Sequence, residues 1–160
     1  MGRGRDSEFE AALAVQMPVL LASARLALSN EAEAWDVMQS TVEVALKNAE
    51  SLREPAALRY WLLAIQSRQI LRMRRRARRA LSLDIAQLGF PSSPGPSLDG
   101  LAVRDALALL PLRIRTAVVL HYMVGQTIAE VAGSMGVSEN TVKSQVRVGA
   151  AKLREILGDE

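Results

Sequence analysis

The chain has 160 residues, 49% of them hydrophobic, and no cysteine. This length allows one or two small domains with modest cores, and the lack of cysteine excludes disulfides, thiolate metal sites and thiol nucleophiles. Aromatic residues are only 4% and no strand-like alternation occurs, so the composition predicts an all-α fold. With no signal-peptide pattern and no apolar run near the ~18 residues of a membrane span, we expect a soluble intracellular protein.

The net charge of +3 is unevenly distributed along the chain. Residues 1–60 sum to −3, residues 61–80 to +7, residues 81–100 to −2 and residues 101–160 to +1. A basic patch beside an acidic segment predicts two partners of different charge. One is an anion such as nucleic acid, and the other is a protein surface.

The N-terminal pattern predicts two helical segments. Ser7 and Glu10 have the spacing of an N-terminal helix cap, and Pro18 interrupts the helix because proline lacks a backbone donor. Asn30 and Glu33 form the next cap signature and predict a helix from about residue 31 to residue 47. Taken alone, its outward polar residues are a solvated acidic face: Asp36, Gln39, Ser40 and Glu43.

The longest helical pattern runs from Ala56 to Ala80 and ends in arginine, with no acidic residue between Glu54 and Asp84. Clustered guanidinium groups repel one another unless an anion lies against them, so the segment predicts contact with a phosphate backbone. An anionic membrane surface or a solvated face are the alternatives, although RMRRRARR has few bulky apolar residues for a membrane. The arginines are Arg68, Arg72, Arg74, Arg75, Arg76, Arg78 and Arg79.

Proline, glycine and serine dominate the run FPSSPGPS, which predicts an interdomain linker at residues 81–98. A first helical domain is therefore expected at residues 7–80 and a second at residues 99–157. In the second domain, Pro111 starts a helix that Gly125 ends.

The stretch from Gln126 to Arg154 predicts a helix-turn-helix. Thr127 and Glu130 have capping-box spacing, Gly136 supplies the positive φ of a sharp turn, and Ser138 is a preferred N-cap. The second helix has one apolar stripe and, opposite it, polar residues suited to base edges and phosphates. These residues are Asn140, Lys143, Ser144 and Arg147. The alternative is a helical hairpin whose polar face is only solvated.

No catalytic or metal-binding pattern occurs along the chain. His121 is the only histidine, and a single histidine on an apolar helix is more often structural than catalytic. No glycine loop for phosphate and no metal-ligand spacing is present. The sequence therefore predicts a non-enzyme that needs no metal or cofactor.

An acidic helix, an arginine-rich helix, a linker and a helix-turn-helix follow one another along the chain. In this order they resemble a bacterial RNA polymerase sigma factor of the small, two-domain extracytoplasmic-function (ECF) group of the sigma-70 family. The segment PVLLASARLAL is similar to the first conserved helix of the group, residues 34–46 to its polymerase-binding helix, and residues 61–79 to its promoter-melting helix. The closing portion is similar to the domain that reads the distal promoter element. That match is most specific at Leu110 and Pro111 and in TVKS at residues 141–144.

The resemblance implies a role for each set of residues. It implies polymerase contacts at Asp36, Gln39, Ser40 and Glu43. It implies contacts with the proximal element or the DNA backbone at Lys47, Trp61, Arg68, Arg72, Arg74, Arg75 and Arg76, with residues 47–55 as a pocket for a flipped base. It implies distal-element contacts at Thr127, Asn140, Lys143, Ser144 and Arg147.

The implied partners are the RNA polymerase core enzyme and promoter DNA in the bacterial cytoplasm, with an anti-sigma factor as a further candidate and no insertion into a membrane. The chain departs from the family pattern at Trp35, Ser40, Val42, Arg68, Arg72 and Gln145. Two other functions remain open. One is a stand-alone helix-turn-helix regulator, and the other is a sigma-like decoy that binds polymerase or an inhibitor without initiating transcription.

Overall fold

A computed structural model describes residues 2–80 and 100–158 of the chain. Within these ranges the secondary structure is helical, with no strand, which confirms the predicted all-α fold. The helices are α1 (Gly2–Ala27), α2 (Glu31–Lys47), α3 (Leu58–Ala80), α4 (Gly100–Ala108), α5 (Leu112–Val118), α6 (Ile128–Met135) and α7 (Glu139–Leu157). Two 3-10 turns, Ala49–Ser51 and Pro55–Ala57, join α2 to α3, and a π turn, Val119–Met123, extends α5. The predicted linker, residues 81–98, lies outside the described residues.

The first helix is continuous through Pro18, so the predicted break there is wrong. It also begins at Gly2, before the predicted cap at Ser7. Proline removes the hydrogen bond that would reach the carbonyl of Ala14, and both residues are exposed, so water can satisfy that carbonyl. Buried contacts on the opposite side of α1 hold the helix together across the missing bond.

The stretch Arg3–Ala27 is long and apolar enough to cross a membrane by length and composition, and its most apolar window of 18 residues has a mean hydropathy of 1.3. This differs from the expectation that no apolar run approaches the length of a membrane span. Only 22% of its most apolar window is buried inside the protein. However, Leu13, Leu20 and Ala24 are almost fully buried against α2 and α3. One stripe of α1 is therefore packed in the core of the protein.

The second helix has the predicted bounds, and its N-terminus is capped as the sequence indicated. The Asn30 side chain accepts a hydrogen bond from the Glu33 amide at 3.1 Å. Val37 and Thr41 are buried, whereas Asp36 and Gln39 face outward. The acidic residues therefore line an open side of the molecule.

The second half of the chain forms the predicted helix-turn-helix with its supporting helices. Thr127 accepts a hydrogen bond from the Glu130 amide at 3.1 Å, and Ser138 accepts one from the Thr141 amide at 3.2 Å. Between them, Gly136 has a φ of 68°, the left-handed conformation that ends α6. The motif predicted from the sequence is confirmed at each cap.

The two halves share one hydrophobic core. Leu20, Met38 and Leu62 from the first half lie in the same buried cluster as Leu120 and Val131 from the second. Helix α3 contacts α1 and α2 and also lies against α6. The sequence left the relative placement of the two domains open, and in the structure they are packed together.

Candidate nucleic-acid interface

Helix α7 presents a polar face to solvent because its other face is fixed against α5. Val142, Val146 and Gly149 are buried. A Cβ at Gly149 would overlap Val118 and lie 2.9 Å from Cγ2 of Ile114, so only glycine allows α5 and α7 to approach so closely. The four residues predicted to contact DNA on the opposite face are all exposed: Asn140, Lys143, Ser144 and Arg147.

The exposed face of α7 has two chemically different edges. Lys143, Arg147 and Arg154 recur at helical spacing and form a cationic edge. Thr141 and Val148 form a neutral edge on the other side, where Val148 is 46% exposed. The sequence analysis did not predict Val148 as a contact, although its position four residues after Ser144 places it on the same face. This face can combine charge with apolar contact in a DNA groove.

Thr127 lies at the N-terminus of α6, where its hydroxyl oxygen already accepts the bond from the Glu130 amide. The residue is exposed, so its hydroxyl can also donate a hydrogen bond to a group at the surface. The helix N-terminus also carries the positive end of the helix dipole, which favours a phosphate. Thr127 can therefore cap α6 and contact the DNA backbone at the same time.

The basic end of α3 lies at the surface. Arg72, Arg75 and Arg76 are exposed, and Arg74 lies 3.7 Å from a carboxylate oxygen of Glu33 in a half-exposed ion pair. Lys47 is exposed at the end of α2. Dense cationic charge on a solvated helix end is the electrostatic arrangement that phosphate backbones neutralise.

Two residues predicted to contact the proximal element, Trp61 and Arg68, make contacts with other parts of this chain. Trp61 is half-buried and stacks edge to face on Phe9, with ring centroids 6.3 Å apart, so it supports the contact between α1 and α3. Arg68 donates a hydrogen bond from Nη2 to the backbone oxygen of Gly133 on α6 at 3.0 Å. In this conformation Arg68 therefore binds the second half of the chain.

Arg115 is a buried cation that the sequence analysis missed. Its guanidinium donates to the backbone oxygens of Ala27 at 2.7 Å, Leu110 at 2.8 Å and Ala108 at 3.1 Å. Burial, with a smaller contribution from the charge of Arg74, lowers the pKa of Arg115 to about 10. Because it joins the end of α1 to the end of α4, Arg115 is a structural tie between the two halves. Nothing in the sequence distinguishes it from a surface arginine.

The outward side of α2 combines acidic and apolar side chains. Asp36, Gln39 and Glu43 are exposed and Ser40 is half-buried. Trp35 is 42% exposed and Leu46 is 46% exposed on the same helix. Large apolar side chains left in solvent on a charged face are typical of a surface that binds another protein. This favours a docking surface over the solvated face expected from the residues alone.

Glu31, at the start of α2, connects three other residues. It forms an ion pair with Arg25 at 2.6 Å, accepts a hydrogen bond from the Trp35 indole at 3.2 Å and lies 3.9 Å from Arg104 of α4. The hydrogen bond from Arg25 holds the pKa of the Glu31 carboxyl below its usual range. Trp35 is therefore oriented by a charged group that also reaches the second half of the chain.

His121 has a structural role in the π turn. Its Nδ1 lies 2.8 Å from the backbone oxygen of Gln126, and its ring packs edge to face on Tyr122. In residues 2–80 and 100–158, no three His, Asp or Glu side chains come together as metal ligands.

Comparison with protein families gives a match to each half of the chain. Residues 16–80 match the family described as Sigma-70 region 2, and residues 100–153 match Sigma-70, region 4. The two matches fall on α1–α3 and on α4–α7.

Several curated proteins are similar over most of their length. The ECF RNA polymerase sigma factor SigL of Mycobacterium tuberculosis is 33% identical over 130 residues, which cover 77% of this chain and 73% of SigL. SigM of the same species is 33% identical over 136 residues, covering 84% and 69%. The RNA polymerase sigma factor SigV of Bacillus subtilis is 27% identical over 126 residues, covering 76% of each.

A solved structure has the same arrangement of helices. The sigma factor RpoE of Bartonella quintana, crystallised in complex with the anti-sigma factor NepR, superposes with a TM-score of 0.76 and 27% sequence identity. The similarity covers 94% of this chain and 96% of RpoE.

Proposed function

Since this chain belongs to the ECF group of sigma-70 factors, which direct RNA polymerase to promoters, we propose how its residues divide that work. Residues 7–80 bind the polymerase core, recognise the proximal promoter element and help to open the duplex. Residues 99–157 bind the distal element, and residues 81–98 connect the two. The exposed polar face of α7, held outward by the close contact at Gly149, is the observation that carries this proposal.

At the distal element, the face of α7 enters the major groove. Asn140 and Arg147 carry the side-chain types that pair with adenine and guanine, and Lys143 and Ser144 suit phosphate oxygens. Thr127 adds a backbone contact at the N-terminus of α6, where the helix dipole favours a phosphate. All five residues are exposed, so this surface is ready to bind duplex DNA.

At the proximal element, the arginines of α3 and Lys47 bind the phosphate backbone, and the loop of residues 47–55 receives a base displaced from the duplex. Binding of the separated strand supplies the free energy of opening, so no nucleotide cofactor is needed. Trp61 supports this surface from behind through its contact with Phe9. The arginines are Arg68, Arg72, Arg74, Arg75 and Arg76.

The polymerase-binding surface is the outward side of α2. Asp36, Gln39, Ser40 and Glu43 provide polar and acidic contacts to the core enzyme. We place the protein in the bacterial cytoplasm, where polymerase acts, and assign it no catalytic activity of its own. Because RpoE of Bartonella quintana is bound to an anti-sigma factor, we include an anti-sigma factor among the partners of this chain.

The distal assignment is tested by replacing Lys143 and Arg147 together with alanine. Each lost base-reading contact should weaken distal-element binding by about 1–3 kcal/mol, and each lost phosphate contact should reduce the salt dependence of binding. The measurement is a footprint on promoters found by run-off transcription with core polymerase. The matched control removes the same charge from α1, as Arg3→Ala with Arg5→Ala, and both of those residues are exposed.

An unchanged distal footprint in the Lys143 and Arg147 variant would remove the assignment of α7. A loss of equal size in the Arg3 and Arg5 control would attribute the effect to net charge. Run-off transcription also separates the alternatives. Co-elution with the core without defined transcripts supports the decoy, and DNA binding without polymerase supports the stand-alone regulator.

The docking assignment is tested by reversing the charge of Asp36 to lysine. Because Asp36 is exposed and makes no core contact, the variant should fold normally but lose association with the core enzyme in gel filtration. The control is Glu50→Lys, an exposed residue in the 3-10 turn after α2. Normal association of the Asp36 variant would place the docking surface elsewhere.

A further inference from the structure

Val148 is a large apolar side chain left in solvent on the face of α7 that is assigned to DNA. Its side chain is 46% exposed, and it lies one turn after Ser144 on the same face. Valine is a poorer helix former than alanine, lysine or glutamine, so helix stability does not explain a valine at this exposed position. The role of the side chain is therefore decided by what lies against this face.

The neighbours of Val148 leave its isopropyl group raised above the surface. Ser144 and Ala151, one turn before it and one turn after it, are small and exposed. The basic side chains of this face lie along its other edge: Lys143, Arg147 and Arg154. Val148 is therefore the bulkiest apolar group on the face, and no charged side chain of that edge covers it.

The edges of base pairs in the major groove are almost entirely polar. They present hydrogen-bond donors and acceptors, and their apolar group is the 5-methyl group of thymine. A valine laid against a donor or acceptor would exclude water without replacing the lost hydrogen bond, which is unfavourable. Against a thymine methyl group, the same side chain removes apolar surface of both partners from water, which is favourable. The chemistry of Val148 therefore selects thymine.

Val148 is close enough to Asn140 for both side chains to contact one promoter element. The two residues are separated by about 12 Å along the helix axis, since an α-helix rises about 1.5 Å per residue. Successive base pairs are about 3.4 Å apart, so the two contacted base pairs are no more than about four apart. Contacts from both ends of the face therefore fall within a single short sequence.

We propose that Val148 reads the 5-methyl group of one thymine in the distal promoter element and thereby sets the base preference at that position. This inference rests on the proposed function, in which the face of α7 enters the major groove. Lys143 and Ser144 suit phosphate oxygens, whose contacts are the same for every sequence. Val148 instead distinguishes thymine from cytosine, which lacks the methyl group, and adds specificity that the hydrogen bonds of this face do not supply.

The first test removes the methyl group from the DNA alone. The full chain with core polymerase is bound to a promoter found by run-off transcription, with each thymine of the distal element replaced in turn by deoxyuridine. Uracil keeps the hydrogen-bonding groups of thymine and lacks only the methyl group. At one position the replacement should weaken binding about fourfold, the effect of burying one methyl group. A distal element without thymine, or one in which no replacement weakens binding, overturns the inference.

The second test asks whether Val148 is the side chain that reads this methyl group. In Val148→Ala the difference between thymine and uracil should nearly vanish, because alanine is too short to reach the methyl group. Alanine is the better helix former, so α7 should remain intact, which circular dichroism checks.

Two control variants should keep the difference between thymine and uracil. Val15→Ala makes the same change at a site on α1 that is 71% exposed, and it should leave binding to both duplexes unchanged. Lys143→Ala should weaken binding to both duplexes by the same factor, because a phosphate contact does not distinguish the two bases. A loss of discrimination in Lys143→Ala as well would attribute the effect to a general loosening of α7 and overturn the role of Val148.

A third comparison places the methyl group on a different base. At the same position, 5-methylcytosine should bind about fourfold more tightly than cytosine in wild type and no more tightly in Val148→Ala. If Val148→Ala retains the discrimination, or weakens binding to both bases equally, readout of the methyl group by Val148 is overturned. A distal footprint that persists in that case leaves the proposed function standing. A footprint unaffected by replacing Lys143 and Arg147 would instead overturn the proposed role of α7, and this inference with it.

Discussion

Helices α3 and α7 both carry side chains assigned to DNA, but they are placed very differently. Helix α7 is buried along one stripe, at Val142, Val146 and Gly149, and its opposite face is open. Helix α3 packs on α1 and α2 and also against α6. Arg68, one of its residues proposed to bind DNA, donates a hydrogen bond to the backbone oxygen of Gly133. A helix at the edge of a domain keeps the surface that its sequence indicates. A helix between two domains, such as α3, has a surface that depends on what packs against it.

The largest effect that tests this difference is expected for Leu62→Ala in α3. Leu62 is fully buried in the cluster that contains residues of both halves. The lost contacts and the cavity should lower the free energy of unfolding by about 2–5 kcal/mol, measured by urea denaturation. Both tryptophans lie in the first half, so their fluorescence reports on that half while circular dichroism reports on all helices.

Because the core is shared, the two signals should shift together in Leu62→Ala. Separate transitions, with only the tryptophan signal moved, would mean that the halves unfold independently. Val15→Ala in α1 is the control, since Val15 is 71% exposed and should change stability by less than about 0.5 kcal/mol.

A smaller effect is expected for Gly149→Ala in α7. The added Cβ would overlap Val118 and crowd Ile114, a strain of about 1–3 kcal/mol that the better helix propensity of alanine, about 0.5–1 kcal/mol, only partly offsets. Thermal unfolding of the full chain should show a lower Tm. Gly133→Ala is the matched control, because its Cβ would meet only the far end of the Tyr60 side chain, which can move aside. An equal decrease of Tm in both variants would contradict the expectation that the strain is larger at Gly149.

The smallest effect concerns the ion pair of Glu31 and Arg25. The pKa of Glu31 is lowered by the hydrogen bond from Arg25, so the pair stabilises the folded state above the ordinary Glu pKa of 4.5. That contribution should fade as the pH falls through the lower folded value. The stability difference between wild type and Glu31→Gln, measured by urea denaturation from pH 7 downward, should therefore shrink to zero. Both side chains are exposed, so the difference at pH 7 should be small. A stability difference that does not change with pH would mean that the charge of Glu31 does not contribute to stability.

Local sequence signals predicted the elements that depend on neighbours in the chain. The caps at Asn30, Thr127 and Ser138, and the turn at Gly136, were readable because each interaction spans four residues or fewer. The break expected at Pro18 was wrong, because the cost of one lost hydrogen bond at an exposed site is outweighed by the buried contacts of α1.

Apart from the continuity of α1, the sequence by itself determined the helices, the motif and the polar face of α7. Periodicity places side chains on faces without reference to the rest of the molecule. Only the tertiary structure decided what Tyr60, Arg68 and Arg115 contact. Two of the partners, Gly133 and the carbonyl of Ala27, lie 65 or more residues away along the chain. A hydrogen bond or a close approach over that separation leaves no local pattern. The contacts of Gly133, Arg68 and Arg115 are therefore determined only when the two halves of the chain pack together.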